Sequence, residues 1–263
     1  MPEKSPRVLL DVTAVPADRA GVGRYTDSLV PELVAGGLDL SLVCQAADQE
    51  HYATLAPGAR IVPGPPAIAR RPARLAWEQA GLPRIARQVG AEVLHCPHYT
   101  MPVVERRPVV VTVHDATFFS QPETHTKVKG PFFRSATRFA LRRAARCIVP
   151  SVATRDELVR RVGADPGRVD VSYLGVDTTT FRTTSAAEKQ SVRDYLELGD
   201  RPYFAFLSTL QPRKNVPNLI RGWVAAVADR ENPPVLVLAG GKGWDDTIDD
   251  VVAAVPSHLQ VLR

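Results

Sequence analysis

Short apolar runs alternate with helix-like segments along most of the chain. Runs rich in Val, Ile and Leu lie at 7–15, 38–44, 91–96, 107–115 and 146–150. Because these runs are continuously apolar and do not alternate with polar residues, they predict strands of a parallel sheet that is covered on both faces. The strand–helix–strand order with short loops predicts an α/β, doubly wound domain over residues 1–181.

A second series of elements follows the first. Residues 182–202 predict a linker with a short helix, and residues 203–263 predict three strands separated by two helices. Three parallel strands form a small sheet for a whole domain. We therefore expect 203–263 to be part of a second Rossmann-like domain in a truncated chain.

Three local signals refine the helices. Residues 71–90 predict a helix that is interrupted near Gly81 and Pro83, because both residue types disfavour helix interiors. Ser151 is a preferred N-cap residue and predicts the start of the helix VATRDELVRRVG. The acidic stretch DDTIDD at 245–250 is interpreted as the first turn of a helix, where negative charge is favourable.

Composition is that of an ordinary globular protein. The 263 residues are 44% hydrophobic and 23% charged, with a formal net charge of +5. No apolar run approaches the ~20 residues of a membrane-spanning helix, and Asp11 interrupts the first run, so we expect a soluble, cytoplasmic protein without a signal peptide. Cys44, Cys96 and Cys147 form no CxxC pair, which favours small buried side chains over a zinc site.

Positive charge is concentrated between residues 69 and 147, which contain 14 Lys and Arg against 5 Asp and Glu. Within this region, residues 127–147 interleave aromatic side chains with cations, from Lys127 to Arg146. We favour an amphipathic helix that keeps its arginines in water. Contact with an anionic membrane is the second interpretation. No motif supports binding to nucleic acid.

A glycine-containing turn, ADRAGVGRYT, follows the first predicted strand. Gly21 and Gly23 allow a close approach of the backbone, and the next helix offers unpaired N–H groups to an anion. A simple tight turn is the alternative. Thr26 occupies the third position of a dinucleotide fingerprint, and no acidic residue ends the second strand. This pattern argues against a nicotinamide-dependent oxidoreductase.

Two histidine-containing segments also follow predicted strands. In VTVHD, His114 stands at the strand end, where ligands of open α/β sheets bind, and Asp115 could orient its ring or cap the next segment. In HCPHYTMP, His98 and Tyr99 are candidates for a sugar-binding wall. An ordinary loop held by two prolines explains that segment equally well.

Two adjacent cations, Arg213 and Lys214, lie in LSTLQPRKN between an apolar strand and a helix. The N-terminus of a helix carries partial positive charge, so cations are unfavourable there unless an anion is bound. Arg can hold phosphate oxygens with two hydrogen bonds, and Lys supplies a compact charge. We therefore predict an anion-binding site.

Together, the segments GVGRY, VHD, RCIVPSVATRDELV, VSYLGVDTTTF and LSTLQPRKNVPNLI resemble glycosyltransferase family 4. The resemblance covers nearly the whole chain, and LSTLQPRKN and YLGVDTTTF are its most specific parts. It implies a retaining enzyme of GT-B type with two Rossmann-like domains: an N-terminal acceptor domain (1–181), a linker (182–202) and a C-terminal donor domain (203–263). Reaction is expected in the cleft between the domains.

The resemblance also assigns roles. Arg213 and Lys214 correspond to the pair that grips the donor diphosphate, and His114 corresponds to the histidine that contacts the transferred sugar. Gly21 and Gly23 are expected to approach the donor phosphate. The acceptor is expected to contact Arg24, Tyr25, His98 and Tyr99.

The expected reaction transfers a hexosyl group from a GDP- or UDP-sugar to a glycan or lipid-linked acceptor, with possible contact at the inner face of an anionic membrane. No Asp-x-Asp signature occurs, so we expect neither a metal nor another cofactor. The family's second donor motif, with a pair of glutamates, is expected beyond residue 263. The alternative is therefore a non-catalytic fragment that binds an acceptor or a membrane.

Overall fold

The structure is a computed structural model that describes residues 5–125 and 128–263. Lys127 of the basic segment lies outside the described residues. The chain divides into two compact units, Met1–Gly175 and Val176–Arg263. The segment predicted as a linker, 182–202, is grouped with the second unit.

A seven-stranded parallel sheet forms the centre of the first unit, with the strand order β3-β2-β1-β4-β5-β6-β7. The strands are β1 (Arg7–Asp11), β2 (Asp39–Cys44), β3 (Arg60–Pro63), β4 (Val93–Cys96), β5 (Val109–Thr112), β6 (Arg146–Val149) and β7 (Val169–Val171). The predicted doubly wound α/β fold is confirmed. The chain reverses its direction of winding between β1 and β4, so this pair is the topological switch point of the sheet.

Helices cover both faces of this sheet. They are α1 (Ala20–Ala35), α2 (Gln49–Leu55), α3 (Arg71–Gln88), α4 (Thr117–Ser120), α5 (Lys129–Arg143) and α6 (Val152–Val162). In β1, Leu9 belongs to one apolar cluster, and Val8 and Leu10 belong to another. Because successive side chains of a strand point to opposite faces, the two clusters lie on the two faces of the sheet. All three cysteines are buried and free, as predicted.

Helix α3 is continuous, so the predicted interruption near Gly81 and Pro83 is wrong. Leu82 and Ala86 are fully buried in the larger apolar cluster. A methyl group added at Gly81 would lie 2.1 Å from Nε1 of Trp77, so the missing side chain leaves room for the indole. Tertiary packing therefore outweighs the low helix propensities of Gly and Pro.

Other local signals are confirmed. The Ser151 hydroxyl accepts a hydrogen bond from the Thr154 backbone N–H and caps α6. Helix α5 buries Phe133 and Leu141 and exposes Arg142, as the amphipathic interpretation predicts. Within the described ranges, no helix combines the length and apolar character that crossing a bilayer requires.

The second unit contains a three-stranded parallel sheet with the order β10-β9-β8. Its elements are α7 (Ala186–Tyr195), β8 (Tyr203–Leu207), α8 (Val216–Val227), β9 (Val235–Ala239), α9 (Ile248–Ala253) and β10 (Val261–Leu262). The buried Trp223 of α8 donates a 3.1 Å hydrogen bond from its indole to the Pro234 carbonyl. Leu198 packs against Val235 and Val237, so the segment after α7 belongs to the core of this unit.

Candidate active site

The loops after β1, β4 and β5 lie side by side in the first unit. These three strands are neighbours in the sheet and are parallel, so their carboxyl ends meet at one edge. Ligands of doubly wound sheets bind at this edge, next to the switch point. The sequence candidates of the first unit all belong to these loops or to the start of α1.

The two glycines that the sequence placed in a turn lie instead in the first helical turn of α1, and their surroundings differ. A methyl group added at Gly21 would meet no atom within 4 Å. A methyl group added at Gly23 would lie 2.9 Å from Cβ of Arg19 and 3.3 Å from Cγ1 of Val15. Only Gly21 therefore leaves space that a ligand can enter, whereas packing within the protein requires Gly23.

The Arg19 side chain that passes over Gly23 anchors the turn. Its guanidinium lies 2.7 Å from Asp48 Oδ1 and 3.5 Å from Asp27 Oδ2, and only about one fifth of the side chain is exposed. Arg19 Nη1, Asp27 Oδ1 and the Tyr52 hydroxyl are buried without a hydrogen-bond partner among the described residues. Arg19 thus ties the start of α1 to the start of α2.

His114 is held in one orientation by the neighbouring loop. Its Nε2 lies 2.7 Å from the Pro97 carbonyl, and because a carbonyl only accepts hydrogen bonds, the neutral imidazole carries its proton on Nε2 and a lone pair on Nδ1. Burial lowers the pKa of His114, while the Pro97 carbonyl and Asp115 oppose the shift. Asp115 itself accepts hydrogen bonds from the N–H and hydroxyl of Thr117, so it caps the next segment and does not orient the ring.

Three of the other predicted residues gather around His114. The ring centroid of His114 lies 5.0 Å from that of Tyr25, 5.7 Å from Tyr99 and 6.4 Å from His98. Nδ1 of His98 is buried and has no hydrogen-bond partner among the residues that the structure describes, and burial lowers the pKa of His98 to about 3. The site therefore presents neutral imidazoles and aromatic edges, a surface suited to a polar, uncharged ligand. Arg24 is exposed and, in the described part of the chain, forms no hydrogen bond or ring contact with this group.

A buried ionic cluster beneath these loops was missed by the sequence prediction. Glu78 accepts a 2.7 Å hydrogen bond from the Thr100 hydroxyl and lies 3.3 Å from Nη1 of Arg74. Burial, followed by the nearby charge of Asp11, raises the pKa of Glu78 to about 7. Asp11, Arg74, His98 and Thr100 line one narrow crevice. The sequence does contain a signal for this ion pair: Arg74 and Glu78 are four residues apart on a predicted helix, a spacing at which opposite charges are neighbours.

The candidate anion site of the second unit lies on a turn between β8 and α8. Arg213 and Lys214 belong to a 3-10 turn, Pro212–Lys214, and the left-handed Asn215 (φ 53°) separates it from α8. Both side chains are half-buried and, in the residues described, neither forms an ion pair or a side-chain hydrogen bond. Two cations are thus held at the carboxyl end of a strand without a counterion from the described chain.

Glycines after β9 hold this turn in place. Leu210 donates its N–H to the Gly241 carbonyl at 2.9 Å and accepts from Trp244 at 3.0 Å. A methyl group at Gly240 would lie 2.0 Å from the Ser208 carbonyl oxygen, and one at Gly243 would lie 1.7 Å from that of Leu210. The segment after β9 therefore needs glycine at both positions to pack closely against Ser208 and Leu210, which precede the Pro212–Lys214 turn.

No cluster of three or more His, Cys, Asp or Glu side chains within 5–125 and 128–263 could hold a metal ion.

The sequence was compared with models of known protein families. The model of Glycosyltransferase Family 4 matches residues 19–180, more than half of the chain. The chain belongs to glycosyltransferase family 4. The resemblance predicted from the sequence motifs is confirmed.

Curated relatives of this family 4 chain include named transferases. The O-antigen chain mannosyltransferase B of Escherichia coli is 25% identical over 156 residues, which are 59% of this chain and 40% of the relative. The alpha-D-kanosaminyltransferase of Streptomyces kanamyceticus is 28% identical over 192 residues, which are 68% of this chain and 49% of the relative. The chain thus spans about half the length, or less, of these relatives.

Solved structures agree on the fold. Anabaena HepE in complex with UDP-glucose matches with a TM-score of 0.69 and 16% identity, over 98% of this chain and 68% of HepE. The match extends over both units, so the family 4 chain has the GT-B type of fold with two Rossmann-like units. At this identity the likeness concerns the fold alone.

Proposed function

We propose that the protein is a glycosyltransferase that moves a hexosyl group from a nucleotide-diphosphate sugar to a glycan or lipid-linked acceptor. Membership of family 4 supports the class of reaction. The observation that carries the proposal is the pair of cations Arg213 and Lys214 in the 3-10 turn after β8, for which the described part of the chain supplies no ion-pair partner. Half-buried cations without a partner are costly unless an anion occupies the site.

We propose that this anion is the diphosphate of the donor. Arg213 supplies a planar, multiply donating guanidinium, and Lys214 a mobile point charge, which together suit two linked phosphates. The donor nucleotide is proposed to be UDP or GDP. HepE, whose structure was solved with UDP-glucose, supports the UDP alternative through its similar fold. The E. coli relative, named as a mannosyltransferase, supports a hexosyl donor.

The first unit is proposed to bind the sugar and the acceptor. The neutral imidazole of His114 offers Nδ1 as an acceptor for a sugar hydroxyl, and the rings of Tyr25, His98 and Tyr99 form the wall around it. Gly21 leaves open space for a phosphate to approach the start of α1. Arg24 is exposed beside it and is proposed to contact the acceptor.

The proposed chemistry is stabilisation of a leaving group. Breaking the sugar–phosphate bond develops positive charge on the sugar and negative charge on the diphosphate. Fixed cations stabilise that negative charge most strongly in the transition state. We propose retention of the anomeric configuration, with a leaving phosphate oxygen taking the acceptor proton, and no metal or other cofactor, because the two cations supply the charge.

A peripheral membrane contact, at the cytoplasmic face, is part of the proposal. The exposed cations of α5 include Arg138, Arg142 and Arg143, and Phe132 is 37% exposed beside them. This combination suits an anionic surface that presents a lipid-linked acceptor. Sedimentation with anionic vesicles at low salt checks the contact, and equal sedimentation with neutral vesicles would contradict it.

Calorimetric titration of the chain with UDP and with GDP tests the donor site. We expect one nucleotide to bind, and Arg213→Ala to weaken that binding by about 10–100-fold, from the loss of a charged hydrogen bond of ~1.5–3 kcal/mol. Arg221→Ala is the matched control, because this exposed arginine of α8 already donates to Asn218 and should leave binding unchanged. Equal weakening by both variants, or no nucleotide binding at all, would overturn the donor assignment. In the second case the non-catalytic alternative predicts binding to an acceptor glycan or a membrane without nucleotide.

Turnover tests the proposed role of His114. In a preparation that transfers sugar, His114→Ala should lower kcat by about 100-fold while the thermal transition of the first unit is retained. The product configuration, read by proton NMR from the anomeric coupling, tests retention. An inverted product or an unchanged kcat would contradict these parts of the proposal.

A further inference from the structure

The loop between β4 and β5 is attached to α3 at two points. The Thr100 hydroxyl donates to Glu78 Oε2 at 2.7 Å, and the Val103 N–H donates to Gln79 Oε1 at 2.8 Å. Glu78 and Gln79 are adjacent in α3, so one turn of one helix holds both bonds. The position of this loop is therefore set by its two hydrogen bonds to α3.

The loop has a backbone conformation that needs such support. Tyr99 has a φ of 57°, which is uncommon for a bulky residue, and the Thr100 N–H donates to the His98 carbonyl across it. Strained conformations of this kind persist only where surrounding contacts fix them. Tyr99 is also bound to the end of β5, through its N–H to the Thr112 carbonyl at 3.0 Å.

The same loop determines the state of His114. The Pro97 carbonyl accepts from His114 Nε2 at 2.7 Å and so selects the tautomer in which Nδ1 is unprotonated. The Asp115 carboxylate is engaged elsewhere, because its Oδ1 accepts hydrogen bonds from the N–H and the hydroxyl of Thr117. The position of Pro97 is therefore the determinant of which ring nitrogen faces a ligand.

Arg74 keeps Glu78 available as the acceptor for this loop. Arg74 and Glu78 are 6% and 2% exposed, so both are shielded from a ligand in solution. The carboxylate lies 3.3 Å from the guanidinium, which places it under Thr100 and compensates its buried charge. Asp11, at the end of β1, lines the same crevice as Arg74 and provides the second carboxylate near this cation.

We propose that Arg74 and Glu78 are positioning residues, which act through Thr100 to hold the 97–103 loop so that the Pro97 carbonyl fixes His114 in the Nε2–H tautomer. This inference rests on the proposed function, because the tautomer matters to transfer only if His114 Nδ1 receives a substrate hydroxyl. The positioning itself is a property of the folded chain and needs no substrate. Neither Arg74 nor Glu78 touches a reacting atom.

Nitrogen-15 NMR of the histidine side chains in the 263-residue chain tests the positioning. At about pH 8, where imidazoles are neutral, the wild type should show one protonated Nε2 and one unprotonated Nδ1 for His114, assigned by comparison with His114→Gln. Thr100→Val removes the hydroxyl at almost constant volume, and the two nitrogen shifts should move toward each other as the tautomers mix. Glu78→Gln keeps an oxygen for Thr100 and should retain the wild-type signal.

Glu105→Gln is the matched control. The Glu105 side chain is 3% exposed and its hydrogen bonds are to Arg106 and Arg107, outside residues 97–103. Glu105→Gln therefore removes a buried negative charge, as Glu78→Gln does, at a point of the β4–β5 loop that does not bond to Thr100. The inference is overturned if Thr100→Val leaves the His114 shifts unchanged, or if Glu105→Gln mixes the tautomers as strongly. Because Thr100→Val leaves the Arg74–Glu78 pair intact, it should fold.

A kinetic measurement separates this inference from the proposed function. In a preparation that transfers sugar, Thr100→Val should lower kcat by roughly tenfold and leave the donor KM nearly unchanged, since the donor diphosphate is proposed to bind the second unit. Mixed tautomers with an unchanged kcat would uphold the positioning and contradict the role of His114 in transfer. An unchanged tautomer with a lowered kcat would contradict the positioning.

Discussion

Replacing Gly23 by Ala tests whether packing, and not ligand approach, requires this glycine. The added Cβ would lie 2.9 Å from Cβ of Arg19, an atom close to the backbone that cannot rotate away. Either the turn shifts or Arg19 leaves its partners Asp27 and Asp48. Gly21→Ala is the matched control, because the same methyl group there meets no atom within 4 Å.

The expected magnitude follows from three terms. Ala is favoured over Gly in a helix by up to ~1 kcal/mol, which applies to both variants. Overpacking at Gly23 costs ~1–3 kcal/mol. Losing a charged hydrogen bond of the partly buried Arg19 costs a further ~1.5–3 kcal/mol. Gly23→Ala should therefore lower the free energy of unfolding of the first unit by about 1.5–5 kcal/mol, whereas Gly21→Ala should leave it unchanged or slightly raised.

Differential scanning calorimetry of the wild type and both variants measures this difference. For a unit of this size, a loss of about 1.5–5 kcal/mol corresponds to a fall in Tm of roughly 3–20 °C for Gly23→Ala. A double-mutant cycle sharpens the test: in an Arg19→Gly background, which removes the colliding atom, Gly23→Ala should no longer lower Tm. Equal losses in both backgrounds, or equal effects of the two glycine substitutions, would refute the steric explanation.

Two further predictions concern other sites. Gly243→Ala should destabilise the second unit by several kcal/mol, because the new Cβ would meet the Leu210 carbonyl oxygen at 1.7 Å and φ is 63°; an unchanged urea midpoint would contradict this. His95 has a pKa lowered to about 4 by burial, so the unfolded chain takes up its proton first as the pH falls below about 6.5. The wild type should therefore lose about 2 kcal/mol more stability than His95→Gln between pH 7 and pH 5 in urea titrations, and parallel losses would refute it.

Much of the fold could be predicted from local sequence patterns. Continuously apolar runs predicted the parallel strands because a strand covered on both faces has no polar side. Ser151 predicted a helix start because its hydroxyl satisfies an N–H that the helix cannot. The pattern missed short elements such as β3 (Arg60–Pro63), in which two of four residues are exposed and the apolar signal is weak. It also placed a break in α3, where burial of Leu82 and Ala86 outweighs propensity.

The candidate site was predicted as a set of segments, not as a geometry. His98, Tyr99 and His114 were selected because they follow strands, and strand order in the sheet then brought their rings within 5.3–6.4 Å of one another. Glu78 was missed because its sequence neighbours are those of an ordinary surface helix. Its burial depends on Thr100, which lies 22 residues away in the chain.

By itself, the sequence determined the alternation of strands and helices, the positions of helix caps and turns, and the family. These depend on residues that are close along the chain, where periodicity, caps and turn residues act directly. Only the tertiary structure decided that Gly23 packs under Arg19 while Gly21 stays open, and that Pro97 sets the tautomer of His114. Such contacts join residues whose distance is set by sheet order and helix packing, which no local pattern encodes.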